Sequence, residues 1–98
     1  MGAQGAVGST YNFAGKWGNA VFKAFADGNI SEARKYQTSI VELVAIYGKP
    51  EYAGTDPGKE IANLLGIKVG PPRIPSKPMT AAQRESLTRD IKAIGLLA

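Results

Sequence analysis

The chain has 98 residues, enough for one small domain or a piece of a larger one, and its apolar share of 44% suffices for a packed core. It contains no cysteine and no histidine, which removes disulfides, thiolate chemistry, the usual metal ligand and the usual general base, and argues against a self-contained metalloenzyme or a Ser-His-Asp hydrolase. The net charge of +4 divides evenly between the halves, with five Lys/Arg against three Asp/Glu in residues 1–49 and seven against five in 50–98, a solvated surface rather than a nucleic-acid footprint.

Met1 to Gln4 reads as an unstructured start. Gly5 to Tyr11 (Gly-Ala-Val-Gly-Ser-Thr-Tyr) reads as a strand, because two glycines in four residues disfavour a helix. After a turn-like bridge over Asn12 to Gly15, Trp17, Val21, Ala24 and Phe25 share one face of a helix expected from Lys16 to Asp27. Gly18 costs this helix roughly 1 kcal/mol relative to alanine, and Gly28 is placed to cap it. Asn29 and Glu32 form a capping-box pair at the head of a second helix, Ile30 to Tyr47. Its apolar positions Ala33, Tyr36, Ile40, Leu43, Val44 and Tyr47, widened by Val41 and Ile46, predict cover on more than one side. Gly48 and Pro50 stop it.

Glu51 to Thr55 is expected to be a loop, with Thr55 capping a third helix that runs to Leu65 and carries Ile61, Leu64 and Leu65. Ile67 to Met79 contains four prolines, which remove amide donors and fix the backbone near an extended form. This is expected to be a rigid, ordered arm, with Ile67, Val69 and Ile74 wanting cover. Thr80 and Gln83 form a second capping box, opening a last helix from Ala81 to Ile94. Leu87, Ile91 and Ile94 are its apolar face, and Leu96 and Leu97 are set to fold back past Gly95. The expected inventory is mainly α: one short strand and four helices.

A single strand leaves its amides and carbonyls unpaired, so this inventory points to sheet partners that the chain lacks. Gly5 to Thr10 is not a phosphate-binding P-loop, because the lysine required before the Ser/Thr is replaced by Gly8. Ser9 and Thr10 have two readings: a turn or helix-entry cap, or a ligand contact at the C-terminal end of a parallel strand. The eight carboxylates all have surface or capping explanations, and no lysine shows the desolvated surroundings that an iminium-forming amine requires. Gly28 to Tyr36 has a passing likeness to a helical-repeat consensus, without the second copy a repeat demands.

Three segments in register, Gly5-Ala-Val-Gly-Ser-Thr-Tyr-Asn12, Ile30-Ser-Glu-Ala33 with Tyr36-Gln37, and Gly70-Pro-Pro-Arg-Ile-Pro75, closely resemble the C-terminal third of the sialic acid aldolases, within the dihydrodipicolinate synthase / N-acetylneuraminate lyase family. The resemblance spans about Gly2 to Leu97, with Gly48 to Gly58 departing from the family pattern. It implies part of a (β/α)8 TIM barrel, which needs roughly 200 residues or more. Residues 1–28 would then be the last barrel strand and helix, and residues 29–98 a C-terminal three-helix extension.

The implied chemistry is class I (Schiff-base) aldol cleavage of N-acetylneuraminate to N-acetylmannosamine and pyruvate. The iminium lysine, the proton-shuttling tyrosine and the carboxylate-binding motif of the family all lie outside this chain. No catalytic residue is therefore carried over, and the 98 residues alone are expected to be inactive. Ser9 matches the serine that faces the sugar part of the substrate, with Gly8 allowing close backbone approach, so both are expected to bind substrate. The resemblance further implies no cofactor, no metal, a small-molecule partner and a homotetramer. No apolar run approaches the ~18 residues of a membrane span, and no basic-then-apolar leader opens the chain, so a cytoplasmic location without membrane or nucleic-acid partners is expected. The alternative is a stand-alone, non-catalytic helical interaction module presenting Trp17, Val21 and Phe25.

Overall fold

The computed structural model describes residues 2–97. Four helices occupy them: α1 (Tyr11–Ala26), α2 (Ile30–Tyr47), α3 (Pro57–Leu64) and α4 (Ala81–Ala93), with a single 3-10 turn at Pro50–Tyr52.

The strand expected over Gly5 to Tyr11 does not form. Residues 5–8 have no ladder partner and Val7 is fully exposed. An extended segment becomes a strand only by pairing its backbone groups, and the described residues offer no edge. The chain instead turns at Ser9-Thr10, and the carbonyl of Thr10 accepts the amides of Phe13 and Ala14 at 3.3 and 2.8 Å. Asn12 to Gly15, expected as a bridge, is thus already helical. The helix kinks at Ala14 (φ −105°, ψ 20°), which is 1% exposed and belongs to the core. The ring of Tyr11 lies over Gly18, where a Cβ would stand 3.3 Å from it, and over Gly8 at 3.4 Å. A side chain larger than alanine at position 18 would therefore meet this ring.

α2 has the predicted ends. Asn29 accepts the Glu32 amide at 3.1 Å, but the return bond runs from its own side-chain amide to the Glu32 carboxylate at 3.0 Å rather than from its backbone. The backbone amide of Asn29 is already bonded to the Ala24 carbonyl. Ala33, Ile40, Leu43 and Ile46 are buried, whereas Val41 and Val44 are more than half exposed. The cover expected on a second side of α2 is absent among the described residues.

Asp56, not Thr55, caps α3, accepting the Lys59 amide at 3.1 Å. Pro57 occupies the first turn and disfavours helical geometry in the residue before it, which makes Asp56 the boundary. The Thr55 hydroxyl instead donates to the Tyr52 carbonyl at 2.7 Å. α4 carries the complete Thr80/Gln83 capping box. Beyond it Leu96 donates to the Ile91 carbonyl and Gly95 to Lys92, a Schellman closure that folds Leu96 and Leu97 back onto the core as predicted.

The core joins Ala14, Leu43, Ile46, Tyr52, Ile61, Met79, Leu87 and Ile91. Each fully buried aliphatic contributes about 1.5–3 kcal/mol relative to exposure. Tyr52 lies in the stretch read from sequence as a loop, yet it is 2% exposed. In contrast Ile67, Val69 and Ile74 remain 48%, 42% and 94% exposed, so the cover expected for the proline arm is missing among the described residues. With a radius of gyration of 14.6 Å and extents of 44 × 24 × 23 Å, the chain is elongated.

Candidate functional site

Ser9 is exposed, at the turn into α1, and among the described residues its hydroxyl makes no hydrogen bond. It stands at the rim of a cleft of about 530 Å³ between the start of α1 and the start of α3. Asn12 and Phe13 line it from α1, Asp56, Gly58, Lys59 and Ala62 from the head and body of α3, and Ile67 and Val69 form the far wall beyond the end of α3. Gly8 is directed elsewhere, toward the Tyr11 ring, and its carbonyl accepts the Tyr11 amide at 3.2 Å. The structure therefore brings Ser9, but not Gly8, to the cleft.

The far wall follows from how α3 ends. Gly66 adopts a positive φ of 86°, which only glycine takes without strain. Ile67 then returns its amide to the Ala62 carbonyl at 2.9 Å. From there the arm is tied to α3 by side chains. The carboxamide of Asn63 accepts from the Val69 amide and donates to the Gly70 carbonyl, both at 3.1 Å. The ammonium of Lys59 donates to the Pro71 carbonyl at 3.2 Å. On the other side of Asp56 and Lys59 lies a second, more polar cavity of about 300 Å³ bordered by Glu60, Lys77 and Arg84. Arg84 is ion-paired with Glu60.

Behind the cleft, Tyr47 packs on Phe13 with ring centroids 6.2 Å apart. Its hydroxyl is buried without a hydrogen-bond partner. Burial, and then the charge of Asp56, hold this phenol well above its ordinary value. The bare backbone of Gly58 faces both groups: a Cβ there would lie 3.4 Å from Asp56 Oδ1 and 3.5 Å from the Tyr47 hydroxyl.

The cleft can hydrogen-bond a polar ligand through Ser9 and Asn12 and pack against it through Phe13, Ala62, Ile67 and Val69. No charged side chain is buried among the described residues, so none of their lysines has the desolvated setting of an iminium-forming amine. No group of three or more acidic side chains could hold a metal there, and no helix is long and apolar enough to cross a membrane. Of the patch proposed for an interaction module, Trp17 and Val21 are half-buried and Phe25 is 46% exposed. The wall residues Asn63, Ile67 and Val69 carried no signal as site residues in the sequence, except that Asn63 is polar beside apolar Ala62 and Leu64.

The profile of the Dihydrodipicolinate synthetase family matches residues 1–94. N-acetylneuraminate lyase of Xenopus tropicalis is 44% identical over 81 residues, covering 76% of this chain and 25% of that protein. The Homo sapiens N-acetylneuraminate lyase is 36% identical over 99 residues, covering all of this chain and 31% of that one. The solved structure of Proteus mirabilis N-acetylneuraminate lyase superposes with a TM-score of 0.84 at 33% identity, over 98% of this chain and 32% of that one. The chain thus spans a quarter to a third of the length of these relatives, and its mainly helical fold corresponds to part of a TIM-barrel lyase. It belongs to the Dihydrodipicolinate synthetase family.

Proposed function

We propose that this chain is the C-terminal portion of a class I aldolase of the N-acetylneuraminate lyase type, cleaving N-acetylneuraminate to N-acetylmannosamine and pyruvate. Residues 1–28 are the last strand and helix of the barrel, and residues 29–98 its helical extension. In the whole enzyme, a cytoplasmic homotetramer, the iminium lysine belongs to a segment outside these 98 residues. The part played here is binding: Ser9 hydrogen-bonds the hydroxylated sugar chain. The observation that carries this reading is the exposed Ser9 side chain lining a mixed polar and apolar cleft, in a chain similar throughout to named lyases. The unpaired segment at residues 5–8 and the exposed Val41, Val44 and Ile74 support it, because a barrel would supply their partners.

The test is complementation. Added to a Proteus mirabilis lyase shortened by the third that this chain matches, the chain should restore pyruvate release from N-acetylneuraminate, and a Ser9→Ala chain should restore at least tenfold less. No restoration, or equal restoration by both chains, counts against the reading or against the role of Ser9 respectively. Alone, with N-acetylneuraminate and borohydride, the chain should keep its mass; a covalent pyruvate adduct would sink the proposal. The second reading, a stand-alone interaction module, draws on the exposure of Phe25. Light scattering with a two-state melt of a well-behaved monomer would favour it.

A further inference from the structure

The far wall of the Ser9 cleft poses a physical problem. Ile67 and Val69 form it, yet they are 48% and 42% exposed and lie outside the packed core. Nothing apolar fixes them. The backbone of the arm is anchored at its two ends, by the Ile67 amide on the Ala62 carbonyl at 2.9 Å and by the Lys77 amide on the Gly54 carbonyl at 2.8 Å beside a parallel bridge between Thr55 and Lys77, and between them Pro71 and Pro72 bring no amide donors. What ties the stretch between those anchors, Val69 to Pro71, to α3 is a pair of α3 side chains one turn apart, at positions 59 and 63, on the same face of the helix. The single carboxamide of Asn63 serves both a backbone donor (Val69) and a backbone acceptor (Gly70). Lys59, itself part of the cleft, extends the tie to Pro71. Only a side chain carrying donor and acceptor on one short stem can close both Asn63 bonds: aspartate offers the acceptor alone, and leucine neither.

We propose that Asn63, assisted by Lys59, is a positioning residue that sets the width of the Ser9 cleft, holding Ile67 and Val69 at the distance at which a polyhydroxylated chain fits between them and Ser9. The role rests on the lyase reading for the identity of the ligand. Asn63 does not touch that ligand; it acts through the arm. Its loss lets the arm drift and widens the site without disturbing the core, because the clamp lies outside the cluster built on Leu43, Ile61, Leu87 and Ile91.

The experiment is amide exchange and N-acetylneuraminate titration by NMR on the 98-residue chain, unsubstituted and as Asn63→Leu, Asn63→Asp and Lys59→Met. Exchange protection of the Val69 amide should fall at least tenfold in Asn63→Leu while that of Ile91 is unchanged, and Asn63→Asp, which keeps the acceptor, should retain much of it. The ligand-induced shift at the Ser9 amide should saturate at about tenfold higher ligand concentration in Asn63→Leu, with smaller changes in the other two. If Ser9 responds equally in all four chains, or Val69 protection is indifferent to Asn63→Leu, the clamp is refuted and the lyase reading stands. If Ser9 does not respond in the unsubstituted chain, the ligand role of Asn63 falls, while the lyase reading is decided separately by the complementation experiment. Should Asn63→Leu fail to fold, Asn63→Ala, which likewise lacks both the donor and the acceptor, gives the same comparison.

Discussion

The hydroxyl of Tyr52 donates to Asp90 Oδ2 at 2.8 Å, and the ammonium of Lys49 meets the same oxygen at 2.7 Å. The 3-10 turn is thereby fastened to the last helix across 38 residues of sequence. Next to it Ser86 donates to the Glu51 carboxylate at 3.0 Å and Gln83 to the Glu51 carbonyl at 2.6 Å. The docking of α4 is thus partly polar, beside an apolar seam made by Leu87 and Ile91.

Asp90→Asn should destabilise the chain by about 1–2 kcal/mol at neutral pH. A hydrogen bond to a charged group is worth about 1.5–3 kcal/mol, and the figure is reduced here because the Lys49 side chain is 41% exposed. Burial would raise the Asp90 carboxyl, but the bonds from Lys49 and Tyr52 outweigh it and hold it below its ordinary 3.8. Its contribution is therefore complete above pH 3.8 and fades as the pH falls through the lower folded value. Thermal melts from pH 7 to pH 2 should show a shallower acid loss for Asp90→Asn than for the parent chain. Equal slopes would mean that Asp90 is not linked to folding.

Tyr47 and Tyr52 should resist ionisation. Burial raises both phenols above 10.0, aided by the charge of Asp56 at Tyr47 and of Asp90 at Tyr52. A folded value above the unfolded one gives stability that is full below pH 10 and is lost as the pH climbs. Two of the four tyrosines should therefore form phenolate only as the helical circular dichroism signal is lost. Four independent titrations centred near pH 10 in an intact fold would contradict this.

Gly18→Ala weighs a helix gain of up to about 1 kcal/mol against a Cβ 3.3 Å from the Tyr11 ring. The ring is 36% exposed and free to tilt outward, so the alanine should be neutral to mildly stabilising. Gly18→Val, with two further methyls, should cost about 1–2 kcal/mol. Urea melts of the two variants should move the midpoint in opposite directions or leave only the valine shifted.

Leu87→Ala removes a side chain with no exposure from the centre of the core and should cost about 2–5 kcal/mol. Against a typical domain stability of about 5–15 kcal/mol, that is enough to leave a partly unfolded population in a denaturant or thermal melt. The equivalent change at Val44, which is 52% exposed, should cost no more than about 0.5 kcal/mol if its face is uncovered in solution.

The helices were legible because their signals are local. Asn29, Thr80 and the glycines at 28, 48, 66 and 95 mark ends through bonds that span three to five residues, so a reading along the chain finds them. Leu87 and Ile91 were legible as core because helical spacing alone puts them on one face. The four-helix inventory and the family resemblance followed from the same local patterns, and the fold matches that of the lyases.

The tertiary structure decided what depends on distant partners. Whether Gly5 to Gly8 is a strand turns on an edge that the described residues do not supply, so the backbone there stays unpaired and Ser9 turns into α1. Tyr52 became core because its ring joins the apolar cluster while Asp90, far along the chain, accepts its hydroxyl at the polar edge of that cluster. Ser9 could be singled out from sequence, but the cleft it borders could not, because its wall is set by Asn63 holding Val69 and Gly70 beyond a reversal at Gly66. Sequence determined that there would be four helices and where each would stop; only packing decided that α1 begins as early as Tyr11 and which side chains would meet.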